Sequence, residues 1–189
     1  MSRCTCACWV CGLLALLMFC LATRGQATQP ATAEAERWTE FDGGASGFRL
    51  RFPSGSMKRM DVPGTELALL RQKRDPGGTQ AQVFVLSPPN ITGGLDLEKT
   101  ASAYVENFKR AMSDAKVLET KDTTLDGAPA KSYLIQGHQV QNGRDSKARM
   151  ILAVRNDRLF SLVAMAEPEA FDSLEQTFDE MVKTFTWTK

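Results

Sequence analysis

The segment AKSYLIQGHQVQNGRDSKARMILAVRNDRLFSLVAMA, residues 130–166, decides the fold. It holds three runs with the two-residue period and β-branched or aromatic content of strands: Ala130 to Val140 around Tyr133, Leu134 and Ile135, then Ala148 to Val154, then Leu159 to Ala166. Asn142-Gly143 separates the first two runs and Asn156-Asp157 the last two. Asn-Gly predicts a type I′ hairpin turn, because both central residues of that turn need positive φ and these two residues accept it most readily. Strands joined by turns this short must pair antiparallel, so the segment reads as a meander. Upstream, Val117 to Leu125 adds a further strand that ends at Asp126-Gly127.

A helix follows directly. Pro168 suits a first helical turn, and Glu167, Glu169 and Asp172 place negative charge at the positive end of the helix dipole. Phe171, Leu174, Phe178, Met181, Val182 and Phe185 recur on one side, with Lys183 near the far end. Burying four or five such side chains contributes on the order of 1.5–3 kcal/mol each before chain entropy is counted. That stripe therefore docks on a sheet.

Towards the N-terminus, Asp96 can cap a second helix whose apolar stripe is Leu97, Ala101, Tyr104, Val105, Phe108 and Met112. Before it come three strand signals. Phe48, Leu50 and Phe52 alternate with Arg49 and Arg51 and stop at Pro53 and Gly55. Glu66 to Leu70 and Gln80 to Leu86 flank the breaker run Asp75-Pro76-Gly77-Gly78. Two one-sided helices that pack on a sheet and six or seven strands, several of them joined by hairpins, predict an α+β fold.

The chain of 189 residues fits one such domain preceded by an export segment. Residues 1–27 carry Arg3, then an uncharged stretch whose core is Leu13 to Phe19, then Gly25-Gln26-Ala27 with small residues at −3 and −1 of a cleavage site. This is the pattern of a secretory signal peptide. Retention of the apolar run as an N-terminal membrane anchor and lipidation at Cys20 are the alternatives, the second weakened by the bulky Phe19 before the cysteine. All five cysteines lie in this segment, so cleavage leaves no thiol for disulfides, nucleophilic catalysis or metal binding. Residues 28–37 (TQPATAEAER) read as a flexible tether, and residues 38–189 as the single domain. The export segment takes two cations, Arg3 and Arg24, and no acid, which leaves 21 basic against 22 acidic residues. So even a balance argues against a nucleic-acid partner.

Gly47-Phe48-Arg49-Leu50-Arg51-Phe52-Pro53 resembles the opening strand of PsbP-like domains. Leu125-Asp126-Gly127-Ala128-Pro129-Ala130 resembles their mid-chain turn, Asp157 to Leu162 their late hairpin, and the helix running into Thr184-Phe185 their closing element. The resemblance spans Gly47 to Trp187. It implies the α/β/α sandwich and binding, assembly or chaperone work rather than catalysis. The histidine and acidic positions tied to ion retention in photosynthetic members have no match here, so no functional residue is carried over.

Little chemistry stands out in the residues. His138, the one histidine, sits in the polar strand end Gln136 to Gln139, and Ser132 and Ser161 lack the sharp-turn setting of a nucleophile. A hydrolase or transferase using His138 with a carboxylate is the enzymatic alternative. Asp122 to Asp126 lacks the spacing of a calcium loop, and neither Gly43-Gly44 nor Gly93-Gly94 precedes the lysine of a phosphate cradle. No cofactor is expected. Arg49, Arg51, Lys58 and Arg59, with Arg71, Lys73 and Arg74 beyond them, form the one basic concentration. With His138, the first four make the candidate binding surface, facing an envelope protein or assembly partner or, alternatively, an anionic membrane met peripherally. Asn90-Ile91-Thr92 fits an N-glycosylation acceptor. A monomeric, exported, non-enzymatic accessory protein is the expectation.

Overall fold

Seven strands hydrogen-bond into one antiparallel sheet between two helices, in a computed structural model that describes residues 36–71, 81–86 and 95–188. Residues 1–27, read from sequence as an export segment, with Cys20, most of the expected tether, Lys73, Arg74 and Asn90 lie outside those residues. In chain order the elements are β1 (Trp38–Asp42), β2 (Phe48–Pro53), β3 (Met57–Met60), β4 (Leu67–Arg71), β5 (Ala81–Leu86), α1 (Leu97–Arg110), β6 (Met112–Leu125), β7 (Ala128–Gln139), β8 (Asp145–Arg155), β9 (Arg158–Ala166), α2 (Pro168–Lys183) and β10 (Thr186–Trp187). The large sheet has the order β3-β4-β5-β9-β8-β7-β6. A small sheet, β1-β2-β10, accompanies it.

Alternation along the central strands sorts the core into two layers. Ala148, Met150 and Leu152 of β8 and Val163 of β9 point to one face, where Ala101 and Val105 of α1 cover them. Ile151 and Ala153 of β8 and Leu162 and Ala164 of β9 point to the other, under Phe171, Leu174, Phe178 and Met181 of α2. Buried on both sides, β8 and β9 read as nearly continuous apolar runs. The sandwich that the PsbP-like resemblance implies is the one observed.

Several local expectations change. Asn142 does not take positive φ, although Gly143 does (φ 67°). Gln139 pairs with Arg144 around a four-residue loop in which the Gly143 N–H donates to the Gln139 carbonyl at 2.7 Å. The Asn142 amide is used locally, accepting from the Arg144 N–H at 3.0 Å, so its side chain stabilises a longer turn than type I′. The paired positive φ values fall instead at Asp126-Gly127 and Asn156-Asp157. Met112 is the first residue of β6 and not part of the α1 stripe, since the helix ends at Arg110. Phe185 lies past the end of α2 yet stays 2% exposed. Asp96 caps α1 as expected, its carboxylate accepting the Lys99 N–H at 2.8 Å.

The small sheet is held to the large one by an aromatic chain. Phe48 of β2 stacks on Phe185 (centroids 5.4 Å apart, planes at 7°) and meets Phe160 of β9 edge-on at 6.2 Å. Trp187 of β10 closes on both Phe160 and Phe185 at 4.7 Å. Its backbone N–H donates to Asp126 Oδ2 and its indole N–H to the Leu125 carbonyl, which clasps the C-terminal strand to the β6–β7 turn.

Candidate functional site

The basic concentration divides once folded. On β2, alternation drives Phe48, Leu50 and Phe52 into the core and turns Arg49 and Arg51 outward. The antiparallel partner β1 sets Asp42 opposite Arg49 and Glu40 opposite Arg51. Arg49 Nε accordingly lies 3.0 Å from Asp42 and 4.0 Å from Glu40. Asp42 is held below its ordinary range first by the Gly44 N–H and then by Arg49. The Arg59 guanidinium of β3 lies 4.8 Å from the centre of the Phe41 ring. Arg51 and Lys58 have no carboxylate partner among the described residues, and both are exposed. An acid thus engages Arg49 and a ring engages Arg59, and Arg51 and Lys58 are left available.

Arg71, grouped with these cations by sequence, serves the fold. Its Nη1 and Nη2 donate to Ser173 Oγ at 3.2 Å and Thr177 Oγ1 at 2.6 Å, tying β4 to α2. Arg149, which no sequence pattern singled out, does the same across the sheet: it is 8% exposed and pairs with Glu175 of α2 at 2.6 Å and Glu119 of β6 at 3.3 Å. Asp179 on the same helix is pushed above its usual range, by burial first and by Glu175 second.

His138 stands apart from the arginines. β7 is next to the β6 edge of the large sheet, whereas β3 is the opposite edge. His138 Nδ1 pairs with Asp145, its register partner on β8, and its neighbour on β6 is Ser113. Serine, histidine and aspartate therefore share one cross-strand row. Among the described residues no hydrogen bond joins Ser113 to His138, and the histidine and aspartate side chains are 47% and 60% exposed. A row so open to water reads as a solvated pair. Gly137 beside it is dictated by the β6 bulge, since a Cβ there would stand 2.9 Å from the Ser113 carbonyl oxygen.

Hollows among the described residues include the following three. One of about 280 Å³ is polar and lies by the β7–β8 loop, among Gln82, Gln139, Arg144 and Glu167. A second of about 280 Å³ is apolar, over Met60, Ala68, Leu70 and Phe84. The third, about 210 Å³, lies between the β8–β9 turn and Trp187. Among the described residues no cluster of histidine, cysteine, aspartate and glutamate could hold a metal ion, and no helix is long and apolar enough to cross a membrane.

No family model matches the chain, and no curated protein does. Solved structures do. CyanoP, the cyanobacterial PsbP of Synechocystis, is 14% identical, with a TM-score of 0.54 over 82% of this chain and 95% of its own. LpqN of Mycobacterium tuberculosis, described as involved in cell envelope biogenesis, is 14% identical, with a TM-score of 0.56 over 81% and 91%. PA94 of Pseudomonas aeruginosa, of unknown function, is 14% identical, with a TM-score of 0.52 over 78% and 95%. The motif resemblance read from the sequence and the likeness in three dimensions agree: the domain has the PsbP-like fold.

Proposed function

We propose that the protein is an exported, non-enzymatic accessory protein of the cell envelope that works by binding an envelope protein partner. The observation that carries this reading is the likeness in fold, over 81% of the chain, to a protein described as involved in cell envelope biogenesis. The secretory pattern of residues 1–27 supports the location. Binding rather than catalysis is favoured by the way the charged groups are used: Arg71 and Arg149 brace the helices, Arg49 and Arg59 are engaged by Asp42 and Phe41, and His138 sits in the open. Arg51 and Lys58 are the cations left to meet an acidic partner surface.

The test has two readouts in the native host. Mass spectrometry of the purified protein is expected to find Thr28 as the first residue, and external protease is expected to reach the protein once the outer barrier is opened. A full-length chain confined to the cytoplasm would overturn the reading. In-cell cross-linking is then expected to trap an envelope protein with the wild type and to lose most of that product with Arg51→Glu/Lys58→Glu at an unchanged melting temperature. Equal trapping by the variant would remove the basic surface from the proposal.

A further inference from the structure

The two edges of the large sheet are guarded unequally. An edge strand offers unpaired N–H and C=O groups to any passing strand, and proteins blunt it by shortness, charge or bulges. β3, at one edge, has four residues and carries Lys58 and Arg59. β6, at the other, has 14 residues, of which only Met112 and Leu125 at its ends are buried. Its first half is guarded: the register shifts between Ser113 and Lys116 and again between Val117 and Glu119, and Asp114 takes positive φ (52°). From Glu119 to Leu125 every residue has its partner on β7 and no bulge intervenes.

The turn that follows sets which groups face outward. Asp126 (φ 44°) and Gly127 (φ 77°) make a two-residue turn, so the flanking Leu125 and Ala128 exchange both of their hydrogen bonds. Alternation then points the N–H and C=O of Leu125, Thr123, Lys121 and Glu119 at β7, and those of Thr124, Asp122 and Thr120 outward. Pro129 fits this phase. It stands opposite Thr124 and has no N–H to exchange, which suits a pair that is not hydrogen-bonded. Among the described residues no strand lies beyond β6, and no other group bonds to the backbone of Thr120, Asp122 or Thr124.

The side chains decide what can pair there. Two copies of β6 meeting antiparallel are related by a two-fold axis normal to the sheet, so one residue stands opposite its own copy. The register of longest overlap centres on Asp122 and sets two aspartates face to face, and centring on Lys121 does the same with two lysines. Centring on Thr123 pairs only Lys121 to Leu125. A strand from another protein meets no such clash. Lys121 lies 2.9 Å from Glu119, and Asp122 lies 2.9 Å from Lys131, so neither repels a strand as a bare charge. Lys131 serves Glu98 of α1 as well as Asp122, and two carboxylates on one ammonium favour a further cation opposite Asp122.

We propose that β6, from Glu119 to Leu125, is a docking edge that takes an extended segment of a partner protein as an antiparallel eighth strand, with a basic residue opposite Asp122. The edge lies across the sheet from β3 and Lys58, so it stands or falls apart from the basic surface.

The probe is the peptide acetyl-Thr-Val-Lys-Val-Thr-Thr-amide, titrated into the labelled protein and followed by amide hydrogen exchange. In the free protein the Lys121 and Thr123 amides are expected to be protected and those of Thr120, Asp122 and Thr124 to exchange fast. Saturating peptide is expected to protect the latter three. Thr124→Pro removes an outward N–H and leaves the β6–β7 ladder intact, and is expected to weaken binding at least about fivefold. Methylating the backbone nitrogen of the peptide lysine removes a bond from the other side, with the protein unaltered, and is expected to weaken binding as much. Glutamate in place of that lysine is expected to cost about threefold or more. Absence of saturable binding, equal binding of the methylated or the glutamate peptide, or protection that grows with protein concentration without peptide, the sign of a second copy on the edge, would overturn the proposal.

Discussion

Phe48 is the point at which the small sheet is fastened to the sandwich, and replacing it with alanine measures that fastening. The side chain is fully buried and touches three other rings, those of Phe41, Phe160 and Phe185. Removing a buried phenylalanine costs about 3–5 kcal/mol, through lost transfer energy and the cavity left behind. The upper half of that range applies here, because the stacked Phe185 and edge-on Phe160 contacts each add about 0.5–1.5 kcal/mol beyond area. A loss of about 4 kcal/mol in a domain of this size lowers the melting temperature by about 8–16 °C. Phe48→Leu, which keeps most of the volume and loses the ring geometry, is expected to cost about 1–2 kcal/mol. Urea unfolding followed in parallel by circular dichroism and tryptophan fluorescence is the assay, with an unchanged m-value as the sign that the unfolded state is unaltered. A loss below about 1 kcal/mol for Phe48→Ala, or equal losses for the alanine and leucine variants, would refute the view that stacked rings hold the two sheets together.

Two further outcomes follow from the same structure. Gly137→Ala is expected to destabilise by about 1–2 kcal/mol: the new Cβ would meet backbone, the Ser113 oxygen at 2.9 Å and Ala115 Cα at 3.0 Å, and that overlap outweighs the ~0.4–1 kcal/mol gained by restricting the unfolded chain. A melting temperature at or above wild type would show the bulge to be pliable. Asp179→Asn is expected to stabilise the protein at neutral pH, because burial and Glu175 hold the Asp179 carboxyl above its ordinary 3.8 and its charged form is therefore disfavoured in the folded state. That penalty is present in the wild type above the folded pKa and disappears below the unfolded one, so the gain should fade as pH drops through the range of ordinary aspartates. A gain that persists unchanged at pH 3 would assign it to something other than ionisation.

The parts of this fold that sequence reveals are those whose partners are close along the chain. The meander β7–β8–β9 and helix α2 each carry their own period and their own boundaries, and the structure places them within a few residues of where the pattern does. β1, β3 and β10 carry no comparable signal. WTEFD, MKRM and TW are too short to show alternation, and β3 buries only Met57. What makes β10 a strand is Phe48, its partner nearly the whole domain away in sequence, together with the Asp126 carboxylate and Leu125 carbonyl that receive the two N–H groups of Trp187. The same distance in sequence hid the chemistry. Arg49, Arg51, Lys58 and Arg59 are visible as a cluster because they are neighbours in the chain, and for that reason a local acid pairs with Arg49 and a local ring stacks on Arg59. Arg155 and Arg158 stand symmetrically about a two-residue turn, which is legible, as is Phe160 two residues on from Arg158, but Trp187 and the glycine turn at Gly44–Gly47 arrive from the two ends of the domain. A cation that a local pattern advertises tends to find a local counter-charge; one delivered to a seam between distant elements is met by whatever those elements bring. Here they bring aromatic faces, which orient a guanidinium without cancelling its charge.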